Sequence, residues 1–199
     1  MVRTEDQERA MLMRVISGSC KGTRLKGLSG DQTRPTSDKV KESVFNIAGP
    51  FFDGGSVLDL YAGSGGMAIE ALSRGLADAV LIDKHHAAIQ VIRENLTRTK
   101  MNTVADVFKN DANKALQVLI KNNHSFDMII LDPPYARQEL EKQLDVIAGA
   151  QLLKAGGMII CEHDKRVSLK DAIGGLYVSK RATYGDTAIT MYKWGAEDE

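Results

Sequence analysis

Residues 57–72, Val57-Leu58-Asp59-Leu60-Tyr61-Ala62-Gly63-Ser64-Gly65-Gly66-Met67-Ala68-Ile69-Glu70-Ala71-Leu72, constrain the fold of this chain more than any other stretch. A short apolar run reads as a buried strand, a glycine cluster turns the chain, and apolar residues then recur at helical spacing. Strand, glycine turn and helix in that order bring backbone N–H groups to the carboxyl end of a strand, where open α/β sheets bind nucleotide-like ligands. The cluster alone fits a nicotinamide dinucleotide as well. Asp59 tilts the balance. It lies at the strand end before the glycines, where a carboxylate repels a diphosphate but holds a cationic amino-acid group.

A second motif, Asp132-Pro133-Pro134-Tyr135, follows the apolar run Phe126–Leu131. Two prolines end the strand and stiffen the backbone, leaving carbonyls free to face a ligand. An exocyclic amine on a nucleobase is a poor nucleophile, because its lone pair is delocalised into the ring. Accepting one of its protons on the Asp132 carboxylate and the other on the Pro133 carbonyl favours a pyramidal nitrogen with its lone pair aimed outward. Asp132 also stabilises the positive charge that grows as a methyl group arrives. Tyr135 offers an aromatic face for the base, worth about 1–3 kcal/mol. A strand-ending turn with a buried tyrosine explains the prolines but leaves the strand-terminal carboxylate unexplained. The two motifs together point to S-adenosylmethionine and methyl transfer to an exocyclic amine.

Two further acids fit an adenosine ligand. Asp83 ends the next apolar run, 20 residues beyond Gly63, where an acid can accept both ribose hydroxyls. Asp111, in Asn110-Asp111-Ala112, can accept from an adenine amine or can cap the following helix.

The rest of the chain supplies the frame. Met13-Arg14-Val15 reads as a natural start, so residues 1–12 are expected to be a leader or upstream extension. Arg14–Ser17 and Thr23–Lys26 flank a glycine-bearing loop and predict a hairpin. Between Arg14 and Lys41 seven basic residues face two acids, a local excess suited to phosphates or to a solvated face. Thr36 or Ser37 can cap a helix to about Ala48, with Val40, Val44, Ile47 and Ala48 on its apolar stripe. From Ser56 strands and helices alternate: Ala79–Asp83, a helix through Ile89, Ile92 and Leu96, Val104–Phe108, a helix over Ala112–Lys121, Phe126–Leu131, a helix over Glu139–Leu153, and Gly157–Cys161. This rhythm predicts a mostly parallel sheet covered on both faces. Leu176–Arg181 and Ala188–Trp194 close it as an antiparallel pair. The zero net charge argues against indiscriminate coating of nucleic acid. The two cysteines and four histidines show no metal spacing, and neither a signal peptide nor a membrane-spanning run is visible. A cytoplasmic protein without a metal is the expectation.

The residues so far resemble a known family. Asp59–Gly66 and Asp132–Tyr135 are similar to the motifs of Rossmann-like S-adenosylmethionine-dependent methyltransferases. Met13-Arg14-Val15-Ile16-Ser17-Gly18, Arg34-Pro35-Thr36-Ser37-Asp38-Lys39-Val40-Lys41-Glu42 and Phe45-Asn46 narrow the resemblance to the bacterial 16S ribosomal RNA guanine methyltransferases of the RsmD type. These modify the 2-amino group of one guanine in the small subunit. The resemblance runs from Met13 to Trp194.

It implies an α/β, Rossmann-like methyltransferase fold in a single domain over 13–199. Its seven-stranded, mostly parallel sheet would carry an antiparallel C-terminal hairpin, helices on both faces and an N-terminal β-hairpin extension. The catalytic set would be Asp132, Pro133, Pro134 and Tyr135. S-adenosylmethionine would sit on Asp59, Tyr61, Gly63, Ser64, Gly65, Asp83, Lys84, Asp111, Ala112 and Thr36. Residues 14–28 would face 16S ribosomal RNA through Arg14, Lys21, Arg24 and Lys26, joined by Arg34, within a partly assembled small subunit.

Three rivals use parts of the same pattern. An adenine-N6 methyltransferase of DNA or RNA shares the Asp-Pro-Pro-Tyr chemistry, but duplex reading with base extrusion usually needs a separate module, and the sheet consumes the remaining length. A non-catalytic cofactor-binding assembly protein has no need of an amine-polarising carboxylate. A nicotinamide oxidoreductase lacks a well-placed acid for hydride chemistry.

Overall fold

The computed structural model describes residues 12–28, 38–133 and 139–195. Within them the chain starts on the expected hairpin, β1 (Leu12–Arg14) antiparallel to β2 (Arg24–Lys26), with Leu12 opposite Lys26. The first arm ends at Arg14, short of the expected Ser17. The backbone N–H groups of Ile16 and Ser17 donate to the Glu70 carboxylate, at 2.8 and 3.0 Å, and are lost to a strand ladder.

Helix α1 (Asp38–Ala48) packs Val40, Val44 and Ala48 of its expected stripe inward, but Lys41 and Phe45 are buried beside them and Ile47 is left out. Lys41 is 1% exposed and Ile47 37% exposed. Glu70 is the cause, because its buried carboxylate lies 3.6 Å from the Lys41 ammonium and holds that charge inside. The capping residues Thr36 and Ser37 lie outside the described residues.

The βα alternation follows as β3 (Ser56–Asp59), α2 (Gly66–Ser73), β4 (Asp78–Asp83), α3 (His86–Thr99), β5 (Ala105–Lys109), α4 (Ala112–Lys121), β6 (Phe126–Leu131), α5 (Leu140–Gly149) and β7 (Leu153–Asp164). Three strands end the chain: β8 (Ala172–Ile173), β9 (Leu176–Tyr184) and β10 (Thr187–Trp194). Their order across the sheet is β5-β4-β3-β6-β7-β10-β9-β8. The first five are mutually parallel and the last three run antiparallel to their neighbours. The eighth strand is the two-residue edge β8, too short to leave a period in the sequence. Strand β7 begins at Leu153, earlier than Gly157. A register shift between Phe126 and Met128 of β6 absorbs Gly156-Gly157, so Gly157, the expected first residue, lies inside the strand.

The parallel strands bury alternate residues in two cores. Val57, Leu81, Met128 and Ile160 pack with Val44, Phe45, Leu72 and Ile92 under the first three helices. Leu58, Val80, Ile129 and Ile159 pack with Leu116, Leu144 and Ile147 under α4 and α5. Burial on both faces explains why these strands read as continuous apolar runs. Strand β3 pairs with β4 on one side and β6 on the other, so the strand order reverses there. Open α/β sheets place ligands in the crevice beyond the carboxyl ends at such a switch point. No helix among the described residues is long and apolar enough to cross a membrane.

Candidate active site at the carboxyl ends of the strands

The loop from β3 to α2 lies at this switch point. Gly63 and Gly65 adopt left-handed φ values of 55° and 80°, which favour glycine. Gly65 precedes α2 without a side-chain cap, so the helix presents unbonded N–H groups to the crevice. Asp83, at the end of β4, braces this loop: one carboxylate oxygen accepts from Gly63 N–H at 2.9 Å, the other from His85 N–H at 2.8 Å. Each oxygen keeps a second lone pair, the capacity a ribose needs. Lys84 beside it is exposed. Asp111 is the N-cap of α4, its Oδ1 accepting from Asn113 and Lys114 N–H at 3.1 and 3.2 Å. Of the two roles open for Asp111, the cap is present in the fold, and Oδ2 is the atom left for an adenine. Ala112 is buried at the first helical position, where its N–H has no partner within the helix.

Three acids lie at or near the carboxyl ends of three adjacent parallel strands: Asp59 at the end of β3, Asp132 just after β6 and Glu162 two residues before the end of β7. Burial pushes the Asp59 carboxyl up to about 7, with Asp83 adding repulsion. Asp132 is pushed well above the usual carboxylate range, first by burial and then by Glu162 and Asp59. Carboxylates crowded in this way either hold a proton or take a cation among them. Sequence reasoning found Asp59 and Asp132 and missed Glu162. The signal was present, because Met158–Cys161 is another apolar run ending in an acid.

A polar network links the surrounding elements. Gln143 of α5, buried, donates from Nε2 to the half-buried Tyr61 hydroxyl at 2.7 Å and to Asn113 Oδ1 at 2.9 Å. Asn113 Nδ2 donates in turn to Glu139 at 3.1 Å. The strand end of β3, the start of α4 and the residue where the chain re-enters α5 are thereby joined. Pro133 is buried next to Asp132. Pro134, Tyr135, Thr36 and Arg34 lie outside the described residues.

The hairpin lies against the glycine loop. Met13 Sδ is 3.5 Å from Ser64 Oγ, and a Cβ on Gly66 would meet the Met13 methyl. Leu28 lies beside Gly63. Of the cations assigned to RNA, Lys21 and Arg24 are exposed. Arg14 pairs with Asp38 at 2.9 Å and Lys26 with Glu94 at 2.8 Å. Such exposed pairs contribute about 0–1 kcal/mol and can be exchanged for phosphate.

Comparison with known proteins fixes the family. The family model described as conserved hypothetical protein 95 matches residues 13–193. The chain belongs to that family. "Putative rRNA methyltransferase YlbH" of Bacillus subtilis (strain 168) is 48% identical over 181 residues, 91% of this chain and 98% of the relative. "Ribosomal RNA small subunit methyltransferase D" of Escherichia coli (strain K12) is 28% identical over 187 residues, 94% and 92% of the two chains. Among solved structures, a conserved hypothetical protein of Streptococcus pyogenes superposes with a TM-score of 0.75 at 39% identity, covering 80% of this chain and 98% of that one. The RsmD-type resemblance of the motifs and the family match agree, and the protein is an enzyme of this methyltransferase family.

Proposed function

We infer that the protein transfers the methyl group of S-adenosylmethionine to the 2-amino group of a guanine in 16S ribosomal RNA of the small subunit. The observation that carries this reading is the row of three carboxylates at or near the carboxyl ends of β3, β6 and β7, beside the glycine loop, in a chain of the RsmD-type family. Those acids suit a ligand bearing an ammonium and a sulfonium, and the left-handed glycines admit its close approach. Asp59, Gly63, Ser64 and Gly65 hold the amino-acid end, Asp83 the ribose, and Asp111 and Ala112 the adenine, with Tyr61, Lys84 and Thr36 completing the site. The cofactor supplies a methyl group activated on a positively charged sulfur. Asp132 and the Pro133 carbonyl accept the two amine protons and orient the nitrogen lone pair, while Tyr135 stacks the guanine. Residues 14–28 form the RNA-facing hairpin of a single domain, whose first strand already includes Leu12. The substrate is a partly assembled subunit in the cytoplasm.

The test uses isotopically labelled S-adenosylmethionine with unmethylated small subunits, naked ribosomal RNA and duplex DNA, followed by digestion to nucleosides. Label in 2-methylguanosine from ribosomal RNA is the expected result. Label in 6-methyladenine from DNA overturns the substrate assignment.

A pH dependence follows from Asp59. The cationic end of the ligand favours its ionised form, so below about 7 binding must displace a proton. Affinity for S-adenosylhomocysteine, whose ammonium remains, rises about tenfold from pH 6 to pH 8 by titration calorimetry, and Asp59→Asn flattens the slope. The ligand-free fold responds with the opposite sign. A carboxyl that keeps its proton longer folded than unfolded lowers stability as pH climbs from the ordinary carboxylate value to about 7. An affinity unchanged across this range removes Asp59 from the cofactor site.

A further inference from the structure

We propose that Asn95 is a positioning residue that fixes the RNA-facing hairpin to the cofactor loop at one spacing and thereby sets affinity at both surfaces. The proposal rests on the methyltransferase reading above and adds a residue to which neither motif points.

Asn95 lies on α3 with 0% exposure. Its Oδ1 accepts from Lys26 N–H at 2.8 Å, and its Nδ2 donates to Lys26 C=O at 2.9 Å. The side-chain amide thus exchanges both hydrogen bonds with the last residue of β2, as a paired strand residue would. The second Nδ2 hydrogen reaches Ser64 C=O at 2.9 Å, the carbonyl between the two left-handed glycines. Both amide donors are used, and one side chain ties the backbone of the hairpin to the backbone of the glycine loop.

Packing does not call for this residue. The neighbouring inward positions of α3, Ile89, Ile92 and Leu96, are apolar and buried. A leucine at 95 would match them without the cost of desolvating an amide, which is recovered only when each polar atom finds its partner. What an asparagine adds here is geometry. The residue whose backbone it grips, Lys26, carries a proposed phosphate contact on its side chain, and the loop whose carbonyl it grips carries proposed cofactor contacts. The other hairpin arm reaches the same serine through Met13 Sδ, 3.5 Å from Ser64 Oγ. Ser64 is therefore held from both arms of the hairpin, through its carbonyl and through its hydroxyl. Phosphate-facing strand and cofactor-facing loop move as one body while these contacts last.

The test combines calorimetry with S-adenosylhomocysteine and steady-state methyl transfer to small subunits, run where each variant is folded by circular dichroism. In Asn95→Leu the Kd for S-adenosylhomocysteine and the KM for the subunit both rise at least fivefold. The kcat at saturation of both stays within threefold of wild type, because Asp132 and Pro133 are untouched. Asn95→Asp keeps the acceptor for Lys26 N–H, loses both donors, and shifts the same two constants in the same direction. A merely structural role lowers the active fraction, so kcat falls while Kd and KM hold, and that pattern overturns the proposal. A rise in only one constant overturns it too. Should Asn95→Leu not fold, Met13→Ala, at the other contact with Ser64, gives the same paired rise of about twofold to threefold. Failure of the underlying reading looks different, since wild type itself then binds no S-adenosylhomocysteine or labels no ribosomal RNA.

Discussion

Asp132→Ala reduces methyl transfer by at least a hundredfold while S-adenosylhomocysteine binds within threefold of wild type. The carboxylate sits in the crevice with burial, Glu162 and Asp59 all disfavouring its charge. A cation beside it restores that charge, so Asp132 becomes a strong acceptor when the site is loaded. In such an enclosed site an acceptor aimed at developing charge acts in the transition state far more than in the bound ground state. Removing one preorganised group of this kind typically costs about 2.7–4 kcal/mol, a factor of 10²–10³ in kcat. Cofactor affinity should survive, because Asp59 and Asp83 remain and one like charge is gone. Asp59→Asn gives the reverse pattern, with affinity lost first. The two variants are compared by calorimetry and single-turnover transfer on the same substrate. Equal loss of binding and turnover in Asp132→Ala makes Asp132 a cofactor-holding residue and removes the amine-polarising role.

What was legible in the sequence was local. Apolar runs such as Val57–Leu58 and Met128–Leu131 are visible because both faces of those strands are buried. Gly63 and Gly65 are visible because a turn with positive φ favours glycine. Strand-end acids stand out against the apolar runs before them. What was illegible depends on partners far along the chain. Glu70 looks like an ordinary polar position of a short helix, yet every residue of that helix is buried and its carboxylate binds a hairpin more than fifty positions earlier. Lys41 reads as solvated for the same reason, and its burial rotates the inward face of α1 away from Ile47. Gln143 and Tyr61 meet across 82 positions through a single hydrogen bond that no periodicity records. Binary patterning reports which face is wet, and it misreports wherever one buried charge draws another inside.

Glu70 carries the largest expected effect on stability. Its Oε2 accepts from Ile16 N–H at 2.8 Å, and its Oε1 accepts from Ser17 N–H at 3.0 Å and from Arg74 Nε at 2.8 Å. Lys41 Nζ, 3.6 Å from the same carboxylate, also donates to the Arg14 carbonyl. Arg74 also donates from Nη1 to the Pro50 carbonyl at 3.1 Å and stacks on the Phe45 ring, 5.0 Å from its guanidinium carbon, while its Nη2 finds no hydrogen-bond partner among the described residues. One acid therefore holds two buried cations and two strand-end N–H groups, joining the hairpin, α1 and α2. Glu70→Gln keeps the shape but removes the buried countercharge of both cations, leaving Lys41 only the weaker influence of Asp38. Breaking a buried pair from one side costs about 3–5 kcal/mol, against a typical total of about 5–15 kcal/mol. Urea denaturation should show a loss of that size, with a melting temperature lower by roughly 10 °C, at 2–4 °C per kcal/mol for a chain of this length. The deficit shrinks as pH rises. Burial already pushes Lys41 below its ordinary value, and Glu70 is the main group opposing that shift. Without Glu70 the folded state gives up the Lys41 proton before the unfolded state does, so stability climbs with pH. Adding Lys41→Met to Glu70→Gln then recovers part of the loss by deleting an unpaired charge. A loss below about 1 kcal/mol, the range of an exposed ion pair, would show that water reaches this cluster and that the hairpin is anchored elsewhere.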